Sequence, residues 1–227
     1  MSRLTSVRHG LGTLVSVLVL LLSARCAQAA GGHFDVDDAT IVVPGNCIIE
    51  QWTQRITRRD FHTLHLGPAC RVGEVEAGIN LDRSSDAGAH SSSAGAQLKW
   101  VADPLLPRVS AGIVVADALD LASGREALRT VYVPVTWWAS QHFFMHMNVG
   151  RDWTPDGATK RIGTSVEWLL TDSSSVIVER MYNFGDRLSR LGWRIAVTDK
   201  LMLDLSGARL RDGARAFILE LDYEFTR

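Results

Sequence analysis

His146 and Asn148 stand two residues apart in the run Phe143–Asp152. A histidine beside an asparagine is two-thirds of what acyl transfer needs: a base, a group that orients it, and a nucleophile within hydrogen-bond reach. The segment contains no serine, so the set is incomplete and no catalytic residue is assigned. His62 and His65 are three apart. On a strand that spacing puts them on opposite faces, which is poor spacing for a shared metal. His65 is expected beside Glu76, in a polar interior. His90 and Ser91–Ser93 read as an outer loop. No zinc spacing, metal site or cofactor motif is found, and no basic run suggests nucleic acid.

The chemistry that remains is a set of polar residues alternating with apolar ones. Glu76, Asn80 and Asp82 alternate with Val75, Ala77, Ile79 and Leu81. Lys99 follows Gln97 at the same spacing. His146, Asn148 and Asp152 alternate with Met145, Met147 and Val149. Glu167, Arg194 and Asp204 sit in similar runs, and Glu220 and Asp222 lie in the last one, Ala216–Phe225. There Phe217, Leu219, Leu221, Tyr223 and Phe225 form one face and the acids the other. Side chains alternate across a strand, so these polar residues share an inward face if the strands close into a barrel. Buried charges require partners. The set therefore either pairs across a filled lumen or lines a narrow aqueous passage whose acidic excess favours cations. Lys99 and Arg194 are the expected partners of Glu220 and Asp222. Small inward residues (Gly78, Gly112, Gly150, Gly163, Gly192, Ser206) argue for some open space.

The elements that must position these groups are twelve short alternating runs, with ten as the alternative. They are Cys47–Arg55, Phe61–Cys70, Val75–Asp82, Ala94–Val101, Val109–Asp117, Val131–Ala139, Phe143–Asp152, Ile162–Leu170, Val176–Tyr182, Leu191–Thr198, Leu201–Leu210 and Ala214–Phe225. Most approach the about 9–11 residues a tilted strand needs to cross a bilayer. The faces of Cys47–Arg55 and Val176–Tyr182 stay unassigned. Ala116–Leu128 has the composition of a short helix between two strand patterns. Tight links such as Arg71–Glu74 and Asp199–Lys200 alternate with longer polar ones, Arg83–Ser93, Ala118–Thr130, Trp153–Arg161 and Asn183–Arg190. Such asymmetry marks short periplasmic turns and longer outer loops. Cys47 opens the first run and Cys70 closes the second, so an antiparallel pair brings them together for a disulfide. Trp52, Trp100, Trp137, Trp138, Trp153, Trp168, Trp193 and Tyr223 are expected in interfacial girdles.

The start of the chain reads as an export signal, residues 1–30. Arg3 and Arg8 precede the apolar stretch Leu11–Leu22, and Ala27–Ala29 is an A-x-A cleavage site. Cys26 leaves with it. Of 24 basic residues three lie in this leader, so the mature chain carries 21 against 25 acids, a formal charge of −4. Nearly 200 of the 227 residues remain, enough for one barrel of moderate size. Residues 31–46, with Asp35, Asp37 and Asp38, form an N-terminal segment assigned to the periplasm, with a plug in the lumen as the other placement. Residues 47–227 form the barrel.

On these features the chain resembles Gram-negative outer-membrane β-barrel proteins, and HFDVDDATIVVPGNC and HLGPACRVG look like parts of an uncharacterised, porin-like group of them. The segment His146–Arg151 also resembles, more faintly, the histidine–serine–asparagine region of outer-membrane phospholipases. The barrel resemblance implies an all-β, single antiparallel up-and-down transmembrane barrel, with both termini periplasmic. Implied partners are outer-membrane lipid, lipopolysaccharide, the barrel-assembly machinery and small solutes. The expected function is a narrow porin-like channel for small solutes. Alternatives are a non-conducting structural or partner-binding barrel, an outer-membrane lipid-modifying enzyme, and a soluble lipocalin-like barrel.

Overall fold

The computed structural model describes residues 34–227; the leader expected over 1–30, with Cys26, lies outside them. Twelve strands follow in order: β1 Asn46–Ile56, β2 Phe61–Val72, β3 Val75–Asp86, β4 Ala89–Leu106, β5 Val109–Asp120, β6 Glu126–Trp138, β7 Phe143–Thr154, β8 Gly157–Thr171, β9 Ser174–Asn183, β10 Asp186–Ala196, β11 Leu201–Leu210 and β12 Arg215–Thr226. Each pairs antiparallel with its neighbour in sequence. Pairing of β1 with β12 closes the barrel, with Asn46 opposite Thr226 and Ile56 opposite Ala216. Full closure leaves no unpaired edge.

The alternation in the sequence becomes two unlike surfaces. Along β12, Ala216, Ile218, Glu220, Asp222 and Glu224 are buried while Phe217, Leu219, Leu221 and Tyr223 are exposed. The same inversion runs round the wall. Ile79, Leu98, Ile113, Val133, Met147, Ile162, Val178 and Leu205 are all exposed. A continuous apolar exterior with a polar interior is the reverse of a water-soluble barrel, whose apolar side chains fill the core. Trp100, Trp137, Trp168, Trp193 and Tyr223 face outward near the end of the barrel that carries both termini. Trp52 departs from the expected girdle: it turns toward the interior and stacks on His65, with ring centroids 4.7 Å apart.

The expected difference in loop length is not found. Residues 87–88 join β3 to β4, 155–156 join β7 to β8, and 184–185 join β9 to β10. The polar runs read as long loops are strand extensions: β3 and β4 continue pairing to Asp86 and Ala89. Ala116–Leu128 is likewise no helix, but the end of β5, a turn and the start of β6. Backbone ladders form whatever the side-chain polarity, so polar ribbons continue beyond the apolar belt. Ala87 and Gly88 both have positive φ, as do Phe184 and Gly185. That is the backbone of two-residue hairpin turns whose twist matches the flanking strands.

Cys47 lies directly opposite Cys70 in the β1–β2 register, and the two are disulfide-bonded. The bond ties these strands at the end where the chain enters the barrel.

Candidate functional site in the lumen

Residues 34–44 precede β1 and run inside the barrel. Of the two placements considered for 31–46, the described part of the segment takes the lumen. Val42, near the termini, donates its N–H to Glu76 Oε2 (2.8 Å) on β3. At the other end of the segment, Asp35 accepts from Arg190 Nη2 (2.8 Å) and from Asn183 Nδ2 (3.2 Å), the last residue of β9. An extended backbone inside a barrel must have its polar groups paired, and wall side chains pair them here. Glu179 accepts from the Val36 N–H (3.1 Å), and Thr136 Oγ1 from the Ala39 N–H (2.8 Å). Asn148 accepts from the Asp37 N–H and donates to the Asp37 carbonyl, both at 2.7 Å. This amide takes the place of a neighbouring strand.

The aspartates of the segment meet the cations of the wall. Lys99 is only 1% exposed; its Nζ lies 2.8 Å from Asp37 and 3.7 Å from Asp38. Tyr132 donates to the other Asp37 oxygen at 3.0 Å. Arg161 Nη2 donates to the Asp35 carbonyl at 2.9 Å, and its guanidinium lies over the Tyr132 ring. Charge-assisted hydrogen bonds of this kind offset the desolvation of the groups they join. Phe34 sits between the guanidiniums of Arg190 and Arg194, 5.9 and 5.5 Å from its ring centroid. A Cβ on Gly192 would come within 2.4 Å of that ring, and one on Gly163 within 2.6 Å of Val36.

Those two glycines are therefore seats for the segment and not open space. Gly112 and Gly150 also leave no passage, because a Cβ there would meet the neighbouring strand's backbone within 2.4 Å. The open volume lies elsewhere. A cavity of about 290 Å³ runs between the segment and the inner wall of β1–β6. Glu50 and Trp52 of β1, His65 and Gly67 of β2, Glu76, Asn80 and Asp82 of β3, Gln97 and Lys99 of β4, Ala116 of β5 and Tyr132 of β6 line it, with Asp35 and Asp37 of the segment.

The remaining polar residues named from sequence are placed as follows. His65 Nδ1 is hydrogen-bonded to Asp82 (2.7 Å) and not to Glu76. His146 Nδ1 is bonded to Thr136 Oγ1 (2.9 Å), and its Nε2 lies 3.7 Å from Glu167, which accepts from Ser175. Asp152 accepts from Thr130 and lies 3.7 Å from Arg161. Arg194 does not serve Glu220 or Asp222 as its main partner. It grips Asp204, directly opposite on β11, from Nε and Nη2 at 2.7–3.1 Å. Lys99, on β4, pairs with the segment instead. Asp204, Glu220 and Asp222 bring their carboxylates within 4.8 Å of one another in the wall beside it. Sequence reasoning missed Glu50 and Glu179, which lie in the two runs whose faces were unassigned. It also missed Thr136, Asn183, Arg161 and Arg190; Arg190 pairs directly across from Glu179, a register that strand-by-strand reading does not supply.

A family model described as "Uncharacterised conserved protein UCP029691" matches residues 18–217, and the chain belongs to that family. No curated protein matches the sequence. Among solved structures, the chain is similar to the KdgM porin, at a TM-score of 0.64 and 9% identity over 78% of this chain and 99% of that one. The same porin in complex with disordered oligogalacturonate matches at 0.64 and 10%, covering 78% and 99%. The NanC porin structure matches at 0.58 and 7%, covering 77% and 98%. These likenesses show a shared barrel fold.

Proposed function

We propose that the protein is a narrow outer-membrane channel for small solutes, with residues 34–44 as a fixed constriction. The cavity along β1–β6 carries this reading. It is polar and lies inside a closed barrel whose exterior is apolar, so what it admits crosses where lipid excludes water. The solved KdgM complex holds an oligogalacturonate, an acidic sugar chain. This lumen suits such a ligand poorly, because Asp35, Glu50 and Asp82 line it beside few cations. Small cations and neutral solutes fit it better.

The same reading places both termini in the periplasm, removes residues 1–30 on export, and leaves insertion to the barrel-assembly machinery. It puts the outward Trp and Tyr belt at the periplasmic interface, where such residues prefer to sit. Purified protein in planar bilayers tests it. The expected result is small, cation-preferring conductance steps. A heat-modifiable, folded barrel that gives no conductance would sink the channel reading and leave a structural or partner-binding barrel.

A further inference from the structure

Outside the barrel, β9–β12 and β1 enclose a groove of about 640 Å³. Its walls are Leu191, Trp193, Leu205, Phe217 and Leu219. Gly207 forms the floor: a Cβ there would meet only the edge of the Phe217 ring, at 4.0 Å. The side chain missing at Gly207 opens this gap, a place where a slender apolar chain gains wall on both sides.

The groove ends beneath a cationic rim. Arg55 lines it and stands opposite Phe217 across the β1–β12 seam. One step further from the termini, Arg209 and Arg215 lie directly opposite each other on β11 and β12, both exposed. Like charges in that relation are disfavoured unless something anionic joins them. No ion pair or hydrogen bond of these three guanidiniums is found among the described residues. Arg129, by contrast, pairs with Asp117 and Glu126, and Arg180 bonds Ser189; Arg83, and Arg151 opposite Lys160, are also exposed without a partner among the described residues, but they do not line this groove.

We propose that this groove and rim form a binding site for the phosphorylated, acylated glycolipid of the outer leaflet, the lipid A portion of lipopolysaccharide. An acyl chain lies over Gly207 between Trp193 and Phe217. A phosphate bridges Arg209 and Arg215, with Arg55 beside it, in the planar forked geometry that guanidinium offers phosphate. The proposal rests on the outer-membrane reading, with the end opposite the termini facing outward.

Native mass spectrometry of the full mature barrel tests it, with four probes: bisphosphorylated lipid A, its dephosphorylated form, phosphatidylglycerol and inorganic phosphate. Lipid A should be retained about tenfold better than either other lipid. R209Q/R215Q should remove that preference, and G207F should weaken retention of lipid A by blocking the acyl path. Equal retention of all lipids, unchanged retention by R209Q/R215Q, or binding of inorganic phosphate as strong as that of lipid A would each overturn the site. Flotation with lipid vesicles is read separately on each variant. A protein that does not float breaks the membrane reading itself, whereas one that floats with no preference for lipid A breaks only this proposal.

Discussion

The β7–β12 half of the barrel and the β1–β6 half share one alternation of side chains but treat their interiors differently. In the first, inward Gly163 and Gly192 receive Val36 and Phe34, and Glu179, Asn183 and Arg190 hold Asp35 and its neighbours. In the second, Gly78, Ala116 and Ala118 line a cavity that the segment borders with Phe34, Asp35 and Asp37, while the His65 ring lies by Gly67 and Ala69 packs on Val42 and Ile48. Small inward residues are thus ambiguous by themselves. Beside a segment with complementary apolar side chains they become sockets, and away from it they become space.

The largest effect on this contrast should come from deleting residues 34–44. That frees the wall groups of both halves and should raise single-channel conductance several-fold in planar bilayers; an unchanged conductance would mean the segment does not constrict the passage. Lys99→Met is next. It leaves Asp37 and Asp38 without their main cation, and breaking a buried pair costs about 3–5 kcal/mol, read as a lower midpoint of heat-modifiable migration. Gly192→Leu then attacks the filled half alone. Overpacking against Phe34 should cost ~1–3 kcal/mol and speed hydrogen exchange of residues 34–37, while the β1–β6 cavity keeps its selectivity. Asp82→Asn acts on the open half alone, since the amide oxygen can still accept from His65. It should reduce the cation-to-anion permeability ratio roughly twofold with little change in the unfolding midpoint.

The smallest effect belongs to neither half. Asp212, in the turn between β11 and β12, accepts from the Ala214 N–H (2.9 Å) and from Arg59 of the β1–β2 turn. Those bonds hold its carboxyl below the usual aspartate range. A carboxyl lowered on folding stabilises the turn above its unfolded value, and that contribution fades as pH falls through the lowered one. Asp212→Ala should therefore quicken exchange at this turn at neutral pH and make no difference in strong acid.

Much of the architecture was legible because strand alternation is local. Twelve runs, their inward acids and the Cys47–Cys70 pairing all follow from period and order. What was illegible depends on register and on a segment without period. Polar extensions such as Arg83–Ser93 resemble loops because they lack the apolar alternation of the belt, while the backbone ladder continues through them. Arg194 looked available to Glu220 until the β10–β11 register set it opposite Asp204. Lys99 looked like a wall-to-wall partner because HFDVDDAT carries no strand pattern that would aim Asp37 at it.

The segment ahead of β1 touches wall strands on both sides of the β1–β12 seam. Val42 and Asp37 are bound to β3 and β4, while Asp35 and Val36 are bound to β9 and β10. In an open, curved sheet those strands lie far apart. A tether fastened to both draws the free margins toward each other, like a cord through the hem of a bag. The chain that fills part of the finished barrel would then also help the sheet to shut.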